Sequence, residues 1–497
     1  MYSNPKKNFI SSWVSIVINI FIMFIYTPFL IKNLGIEVYG LIPLFATIVG
    51  LLSFTTSGLN AILFRDMTKY IHGESDNTKA IELLSSVLTI YSVIIFLYTI
   101  FFMITSVHID SIFNLPNISL DSTRFYYYIL YFSFLMTSVS SVLSSKFYAN
   151  NSNYIPNYGG LTVRIIGILF ILSISYLYKL DIEWIAIGLL IESVIYVLYI
   201  IYNWMKMSPS LSINKIRFTK NNVKYILLTS YKTSVIEIGN LLQMSTILLI
   251  SNHLYGAKIS GIYAIVLVVY NAFLLAGDTI TKTVAPIYNR LHVKKQGNYT
   301  IQSVMLFSYR VSTAVLFIPS IVFIVYSEEV LYAWVGEEVS EHFALLSVLM
   351  LPVVFNIPAR TTIPVQMVLD KLYIPGFVSI SIGLLMIVIP FVYNVYFPGD
   401  YFGVAFSFIV TLTVRNSLFN LYYSLHISGI SSKKIILYQA MVLFAYILSI
   451  LLIFFVKNYF EMHFVINTLA LIFILMLVFR FLLNNNDREI IKSLFIR

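Results

Sequence analysis

Cysteine is absent from this chain of 497 residues. Disulfide bonds, thiolate nucleophiles and metal sites with cysteine ligands are therefore excluded. Charged residues are also scarce, at 11% of the sequence, whereas hydrophobic residues make up 59%. A soluble core cannot use that much apolar surface, but a lipid bilayer can accommodate it. The stretches between the apolar runs are short, so they leave no room for a soluble domain.

Several signatures of chemistry are missing as well. The seven histidines lie in loops or at the ends of apolar runs, which argues against a proton relay in the middle of a membrane. No spaced cluster of histidine and aspartate indicates a metal, and no glycine-rich loop with a Lys-Ser/Thr indicates a built-in ATPase. We therefore expect no cofactor, no metal ion and no enzymatic activity.

The sequence does contain a long series of apolar runs. A membrane-spanning helix needs about 20 mostly apolar residues. Fourteen runs approach that length: 8–31, 41–64, 83–107, 125–145, 158–178, 184–205, 225–250, 261–281, 303–326, 343–363, 374–396, 402–425, 436–456 and 462–482. We therefore predict an all-α polytopic membrane protein with about 14 transmembrane helices. The first run is too long for the core of a signal peptide, so we interpret it as a retained helix. Trp184 and Trp204 bound the sixth run, which fits aromatic belts at the two interfaces.

Basic residues indicate the orientation. Most of the 32 lysines and arginines fall on the side of the membrane that carries both termini. By the positive-inside rule the termini and the linker Lys206–Lys224 are cytoplasmic, while Ser327–His342 is periplasmic. The formal charge of +10 thus reports topology and gives no reason to expect nucleic acid. Membrane lipids with anionic headgroups are a weak additional partner.

Two short motifs recur at nearly the same offset. Leu34–Gly40 resembles Tyr255–Gly261, so that Gly35 corresponds to Gly256, 221 residues later. The tripeptide that begins at Tyr154 recurs 219 residues later, and Pro156 then corresponds to Pro375. The shared offset favours a duplication of a half of about 220 residues. We expect the glycines to mark tight periplasmic turns, and the prolines to mark the cytoplasmic starts of the fifth and eleventh helices.

The duplication predicts the domain organisation. The parts are an N-terminal six-helix lobe at 1–205, a cytoplasmic linker at 206–224, a C-terminal six-helix lobe at 225–425, and two extra helices with a cytoplasmic tail at 426–497. The two extra helices carry few charges, so we interpret them as additions that face lipid. Pro352 and Pro358 in the tenth run, and Pro364 just after it, should break this helix and free backbone carbonyls.

Charged residues within the runs are the candidates for function. The cations are Arg164, Lys232, Arg310, Arg360 and Arg415, and the acids are Glu192, Glu237 and Asp278. A charge at the centre of a spanning helix costs about 2.5–3.5 kcal/mol, so such residues pair or face water. Because the cations outnumber the acids, we predict an aqueous cationic cavity that binds an anion. The guanidinium fork of arginine suits phosphate. The alternative is that these residues are structural ion pairs, or reach the interface from helix ends.

Arg65 and the acids have separate predicted roles. Arg65 directly follows the second run, where it either marks the interface or lines the mouth of the cavity. Asp278 and Lys282 are four residues apart and can pair on one helix face. We expect Glu237, Asp278 and Glu192 to serve in ion coupling or gating, because a carboxylate near cations and water can change its protonation.

The chain resembles a known family at specific positions. A first helix that ends in Thr27-Pro28-Phe29-Leu30-Ile31, followed by Leu34-Gly35, Tyr39-Gly40 and Arg65, is similar to the Wzx-type polysaccharide repeat-unit flippases. These belong to the MATE-like superfamily of multidrug, oligosaccharidyl-lipid and polysaccharide exporters. The resemblance implies two six-helix lobes around a central cavity in the bacterial inner membrane. The implied substrate is an undecaprenyl-diphosphate-linked oligosaccharide for O-antigen, lipopolysaccharide or capsule assembly.

The same resemblance implies partners and alternatives. A flippase of this type uses H+ or Na+ as a coupling ion and supplies a polysaccharide polymerase. The first alternative is a cation-coupled multidrug exporter, which is expected to carry a carboxylate in its first helix. The run from Asn8 to Ile31 has none, but Glu237 and Asp278 keep that alternative open. The second alternative is a membrane-embedded glycan polymerase or ligase. Such an enzyme is expected to carry one large periplasmic loop. No such loop is present.

Overall fold

The structure, a computed structural model, describes residues 5–70, 77–207, 220–294 and 300–459. Within those ranges the chain is helical and contains no β-strand. The predicted fourteenth helix and cytoplasmic tail lie outside the described residues, as does most of the linker 206–224. The backbone of Lys232 is described, but its side chain is not.

Seven helices form the first part of the chain. They are α1 (Pro5–Leu34), α2 (Ile36–Thr68), α3 (Asn77–Val107), α4 (Ile109–Ile112), α5 (Leu120–Ala149), α6 (Tyr154–Leu177) and α7 (Ile182–Met207). Gly35 alone separates α1 from α2, with φ 81° and ψ 163°. A positive φ is strained for residues with a Cβ, so glycine permits this immediate turn.

Helix α8 (Lys220–Lys294) contains a break of the same kind. Gly256 has φ 85° and ψ 178°, almost the backbone conformation of Gly35. The predicted seventh and eighth helices both lie within α8. The segment Glu237–Ala285 has 49 residues. At a rise of about 1.5 Å per residue it is far longer than one crossing of a hydrocarbon core of about 30 Å.

The remaining helices include several short ones. They are α9 (Ile301–Val325), α10 (Ser327–Val335), α11 (Glu337–Ser340), α12 (Phe343–Met350), α13 (Val353–Arg360), α14 (Ile363–Val368), α15 (Tyr373–Tyr396), α16 (Phe402–Leu412), α17 (Leu421–Ile427) and α18 (Ser432–Tyr459). A π-helix at Thr413–Asn420 joins α16 to α17. Two of the three prolines stand at breaks as expected, since Pro352 caps α13 and Pro364 opens α14, whereas Pro358 lies inside α13. The two parts of this span meet at 46°.

Eleven of the described helices are long and apolar enough to cross a membrane, or twelve with the bent pair counted as one span. The chain is therefore an all-α, multi-pass membrane protein, as predicted. The number fourteen stays a prediction, because one predicted helix lies outside the described residues and two share α8.

The proline pair marks two helices of the same length. Pro156 is the third residue of α6, and Pro375 is the third residue of α15. Each of these helices has 24 residues, and each is followed after a short turn by a helical segment of 26 residues. The local structure at both motif pairs thus agrees with a duplication, although superposition of the two halves stays a prediction.

The chain forms two compact units. One comprises Met1–Ile265 and Ser379–Ile387, and the other takes in the remainder of the described chain. This division follows packing rather than sequence repeats. It therefore does not decide whether the lobes are bounded at 1–205 and 225–425, which stays a prediction. Within the second unit, α18 packs one face on α9, where the Tyr446 hydroxyl donates a hydrogen bond to Ser320 Oγ at 2.8 Å.

Candidate functional site

A polar cluster in the second unit contains three of the predicted charges. Arg360, the last residue of α13, forms an ion pair with Asp278 of α8, with 3.1 Å between Nη2 and Oδ1. The Arg360 Nε also donates to Oδ1, at 3.2 Å. The spacing of Asp278 and Lys282 allows a pair on one helix face, but Lys282 is exposed and the described residues show no ion pair between the two. The bend at the prolines brings an arginine 82 residues away to Asp278 instead.

Arg415 lies in the π-helix and is the largest fully buried side chain in the described residues, at 1% exposure. Its Nε donates to the side-chain oxygen of Asn416 at 3.2 Å. The π-helical turn changes the direction in which α16 presents its side chains, and such turns are frequent at functional sites. Arg415 therefore does not reach the interface from a helix end.

Tyr270 connects the two arginines. This tyrosine of α8 is fully buried, and Arg360, Arg415 and Asp278 all act on its hydroxyl electrostatically. The three charges therefore lie near the same tyrosine, and among the described residues that act on it they are two cations and one anion. Arg310 of α9 is the other predicted site residue in this unit. Its guanidinium lies 5.6 Å from the ring of Tyr438 in α18, which favours a structural role.

Neutral polar side chains on α13, α14, the π-helix and α17 form hydrogen bonds beside this cluster. They were not among the predicted site residues. Asn356 donates to Thr413 Oγ1 at 3.1 Å and accepts from Ser417 Oγ at 2.6 Å. Gln366 donates to Ser424 Oγ at 2.9 Å. These side chains join the broken span to the π-helix and α17. The available signal was that Asn356 lies within the tenth apolar run, and Thr413, Ser417 and Ser424 within the twelfth.

In the first unit, Arg65 belongs to a cluster at the end of α2. Its Nε donates to Asp66 Oδ1 at 2.7 Å, and its Nη2 donates to the Tyr225 hydroxyl at 2.9 Å. Tyr225 in turn donates to Asp66 Oδ2 at 3.1 Å. The hydrogen bond that Arg65 donates to Asp66 raises the pKa of Arg65. This cluster joins α2 to the start of α8.

The other charges of the first unit lie deeper in the helices. Arg164 of α6 is exposed, and Glu192 of α7 is half-buried and close enough to interact with it electrostatically. The Glu192 carboxylate rests against Gly167, where any Cβ would collide with it. Glu237 of α8 accepts a hydrogen bond from Asn240 Nδ2 at 3.2 Å. The structure thus separates the predicted site residues into several groups.

The fold and these charged residues define a multi-pass membrane protein with a polar, cationic cluster between broken helices. Solved structures show the same fold. A structure described as lipid II flippase MurJ in an inward closed conformation matches with a TM-score of 0.68 and 16% identity, and the match covers 98% of this chain and 99% of that one. A multidrug resistance MATE family transporter of the MOP superfamily, in an inward-facing conformation, matches with a TM-score of 0.63 and 13% identity, covering 82% of this chain and 94% of that one.

A relative is also found by sequence. The uncharacterized membrane protein EpsK of Bacillus subtilis (strain 168) is 22% identical over 427 residues, which is 85% of this chain and 83% of the relative. No family model matches the chain. These comparisons agree on a MATE- and MurJ-like helical fold.

Proposed function

We propose that the protein is a flippase that moves undecaprenyl-diphosphate-linked oligosaccharide repeat units across the bacterial inner membrane by alternating access. The product supplies O-antigen or capsule-type polysaccharide assembly, with a polysaccharide polymerase as the consumer. The fold supports this proposal, because the MurJ structure matches 98% of this chain, whereas the MATE transporter structure matches 82% of it.

The observation that carries the proposal is the excess of positive charge around Tyr270. Among the described residues whose charges act on Tyr270, Arg360 and Arg415 are the cations and Asp278 is the acid. A buried cation is expensive in a membrane unless it pairs with a charge or faces water. A diphosphate carries the complementary charge, and it fits the planar fork of arginine by accepting two parallel hydrogen bonds.

The ion pair between Arg360 and Asp278 can switch the transporter between a substrate-bound and a substrate-free state. A diphosphate that binds Arg360 replaces Asp278 as its partner, and the released carboxylate is then free to bind a proton or Na+. When the substrate leaves, the pair forms again. Arg360 is 20% exposed and Asp278 is 29% exposed, so both remain accessible for this exchange. Glu237 and Glu192 are further candidates for ion coupling, and Lys232 and Arg65 for contacts with the anion.

The second candidate is a MATE-like exporter of organic cations, coupled to an ion gradient. The match to the MATE transporter and the carboxylates Glu237 and Asp278 favour it. The excess of cations around Tyr270 opposes it, because like charges repel a cationic drug.

Reconstituted transport distinguishes the two. Purified protein in proteoliposomes is supplied with undecaprenyl-diphosphate-linked oligosaccharide, and separately with ethidium. We expect the wild type to expose the oligosaccharide on the opposite leaflet and not to move ethidium.

Arg360→Gln should slow flipping about ten- to a hundredfold, since a hydrogen bond to a charged group contributes about 1.5–3 kcal/mol. Arg124→Gln, which removes an arginine that contacts backbone carbonyls near α3, is the matched control. Ethidium transport without flipping, or wild-type flipping by Arg360→Gln, would contradict the proposal.

A further inference from the structure

Helices α1 and α6 enclose a groove of about 280 Å³. Its walls include Ile18, Ile22, Tyr26 and Phe29 of α1, and Ile168 and Leu172 of α6. The Tyr26 hydroxyl is the one polar group among these six side chains. The groove is too small for a sugar with its diphosphate, because pockets that enclose a drug-sized ligand measure about 300–1,000 Å³. Its size and chemistry suit a segment of hydrocarbon chain.

The two helices are fixed to each other at one end of this groove. Asn157 Nδ2 donates to the hydroxyls of Ser11 and Ser12 at 3.1 Å, and the backbone N–H of Tyr154 donates to Asn8 Oδ1 at 3.0 Å. These bonds hold the starts of α1 and α6 together. The groove opens farther along the same two helices, so it is a defined feature of their packing.

Two charged residues, Arg164 and Glu192, lie near the groove. Arg164, Ile168 and Leu172 are four residues apart in succession, so they lie along one face of α6. Tyr26 lines the groove and also interacts electrostatically with Glu192 and Arg164. The guanidinium has five N–H donors, so an acid neighbour leaves donors for a second anion.

The depth of Arg164 in the membrane limits which ligand of the groove can reach it. The residue is ten positions after Tyr154 and thirteen before Leu177. At about 1.5 Å per residue it lies about 15 Å from one end of α6 and about 20 Å from the other. It is therefore near the middle of a hydrocarbon core of about 30 Å. The headgroup of an ordinary phospholipid stays at the interface, whereas the diphosphate of a lipid in transit passes the middle.

We propose that this groove holds the isoprenoid chain of the transported lipid next to its diphosphate, and that Arg164 contacts the diphosphate. This inference rests on the proposed function. Glu192, seated against Gly167, lies within electrostatic range of Arg164. The apolar chain then follows the α1–α6 groove while the oligosaccharide remains in water.

Binding of undecaprenyl diphosphate tests the groove. The full chain is placed in nanodiscs of phosphatidylethanolamine, and the Kd is measured for wild type, for the groove-filling variants Ile22→Trp and Leu172→Trp, and for Arg164→Gln. We expect each variant to weaken binding about ten- to a hundredfold, as loss of burial of a few methylene groups or of a charged hydrogen bond predicts. Leu448→Trp is the control, because Leu448 is comparably exposed, at 45%, on α18. The two tryptophan variants enter from opposite walls, so one that fails to fold leaves the other as a test.

A photocrosslinker identifies the occupant. p-Benzoylphenylalanine at Ile22 should capture undecaprenyl diphosphate in preference to an equal amount of phosphatidylglycerol, whereas the same group at Leu448 should show no preference. Preferential capture of phosphatidylglycerol at Ile22 would identify a site for ordinary lipid and overturn the inference. Wild-type affinity in both tryptophan variants would also overturn it, while leaving the flippase proposal intact. If the wild-type protein does not bind undecaprenyl diphosphate, the flippase proposal itself fails.

Discussion

Gly40 and Gly261 are in direct backbone contact, since a Cβ added to Gly40 would lie 2.7 Å from the Cα of Gly261. Gly261 is equally confined, because its own Cβ would collide with the carbonyl oxygen of Ile36. These glycines are the corresponding members of the two repeated motifs. The repeated motif therefore provides two features. Its first glycine permits a tight turn, and its last glycine permits α2 and α8 to approach closely.

We predict that alanine at either of these glycines destabilises the protein. Gly40→Ala and Gly261→Ala should each lower the free energy of unfolding by about 1–3 kcal/mol, the usual effect of overpacking. Gly50→Ala is the control, because its nearest neighbour is Ser245 Oγ at 3.8 Å. This change should stabilise α2 by about 0.5–1 kcal/mol through helix propensity. Denaturant unfolding in detergent measures all three, and equal effects at the three positions would refute the close contact.

Asn114 and Asn252 are joined by three hydrogen bonds, and Asn252 lies four residues before the turn at Gly256. The backbone N–H of Asn114 donates to Asn252 Oδ1 at 2.9 Å, Asn114 Nδ2 donates to Asn252 O at 2.6 Å, and Asn252 Nδ2 donates to Asn114 O at 3.0 Å. This pair joins the α4–α5 loop to α8. Because the chain has no cysteine, Asn114→Cys with Asn252→Cys can be crosslinked without background.

We expect the crosslinked double variant to stop flipping, and a cleavable crosslink to restore it when cut, because the proposed alternating access separates these two elements when the predicted periplasmic side opens. Each single cysteine variant, treated in the same way, controls for the reagent. Full transport by the crosslinked protein would show that this pair stays closed throughout the cycle.

Asp278→Asn tests the exchange of partners at Arg360. The change removes the competing anion, so Arg360 should bind inorganic diphosphate about tenfold more tightly, equivalent to about 1.4 kcal/mol. Flipping should nevertheless decline, because nothing displaces the diphosphate. Asp370→Asn removes the same charge from an exposed turn and is the matched control. Unchanged diphosphate affinity in Asp278→Asn would make the ion pair purely structural.

The predicted topology can be tested with two single cysteines. Ser431 lies in an exposed turn before α18, and Glu337 is exposed at the start of α11. In intact cells, a membrane-impermeant maleimide should label Glu337→Cys and leave Ser431→Cys unlabelled until the membrane is permeabilised. The reverse result would invert the orientation that the basic residues predict.

The elements that the sequence predicted well depend on local chemistry. The apolar runs predicted the helices, because backbone groups in lipid must be satisfied within each segment. Gly35 and Gly256 predicted turns because each needs a positive φ, and Pro352 and Pro364 predicted breaks because proline lacks an N–H. Each of these effects acts within a few residues, so it is visible in the sequence.

The partners of charged side chains were predicted less well. Trp204 was assigned to an interfacial belt, but it is 5% exposed, and its ring lies 4.0 Å from the ammonium of Lys146. Asp278 pairs with Arg360 rather than with Lys282 on its own helix. In both cases the partner is distant in the sequence, so helical spacing gives no information about it.

The sequence by itself thus determined a helical, multi-pass chain with repeated turn motifs and more cations than acids within its spans. Only the tertiary structure decided which charges meet. It placed Arg415 and Arg360 near Tyr270, packed Arg310 against Tyr438, and set Arg164 beside the apolar groove of α1 and α6. The physical reason is that the cost of a charge in lipid requires a partner without specifying it, whereas the packing of bent and broken helices selects which partner comes within reach.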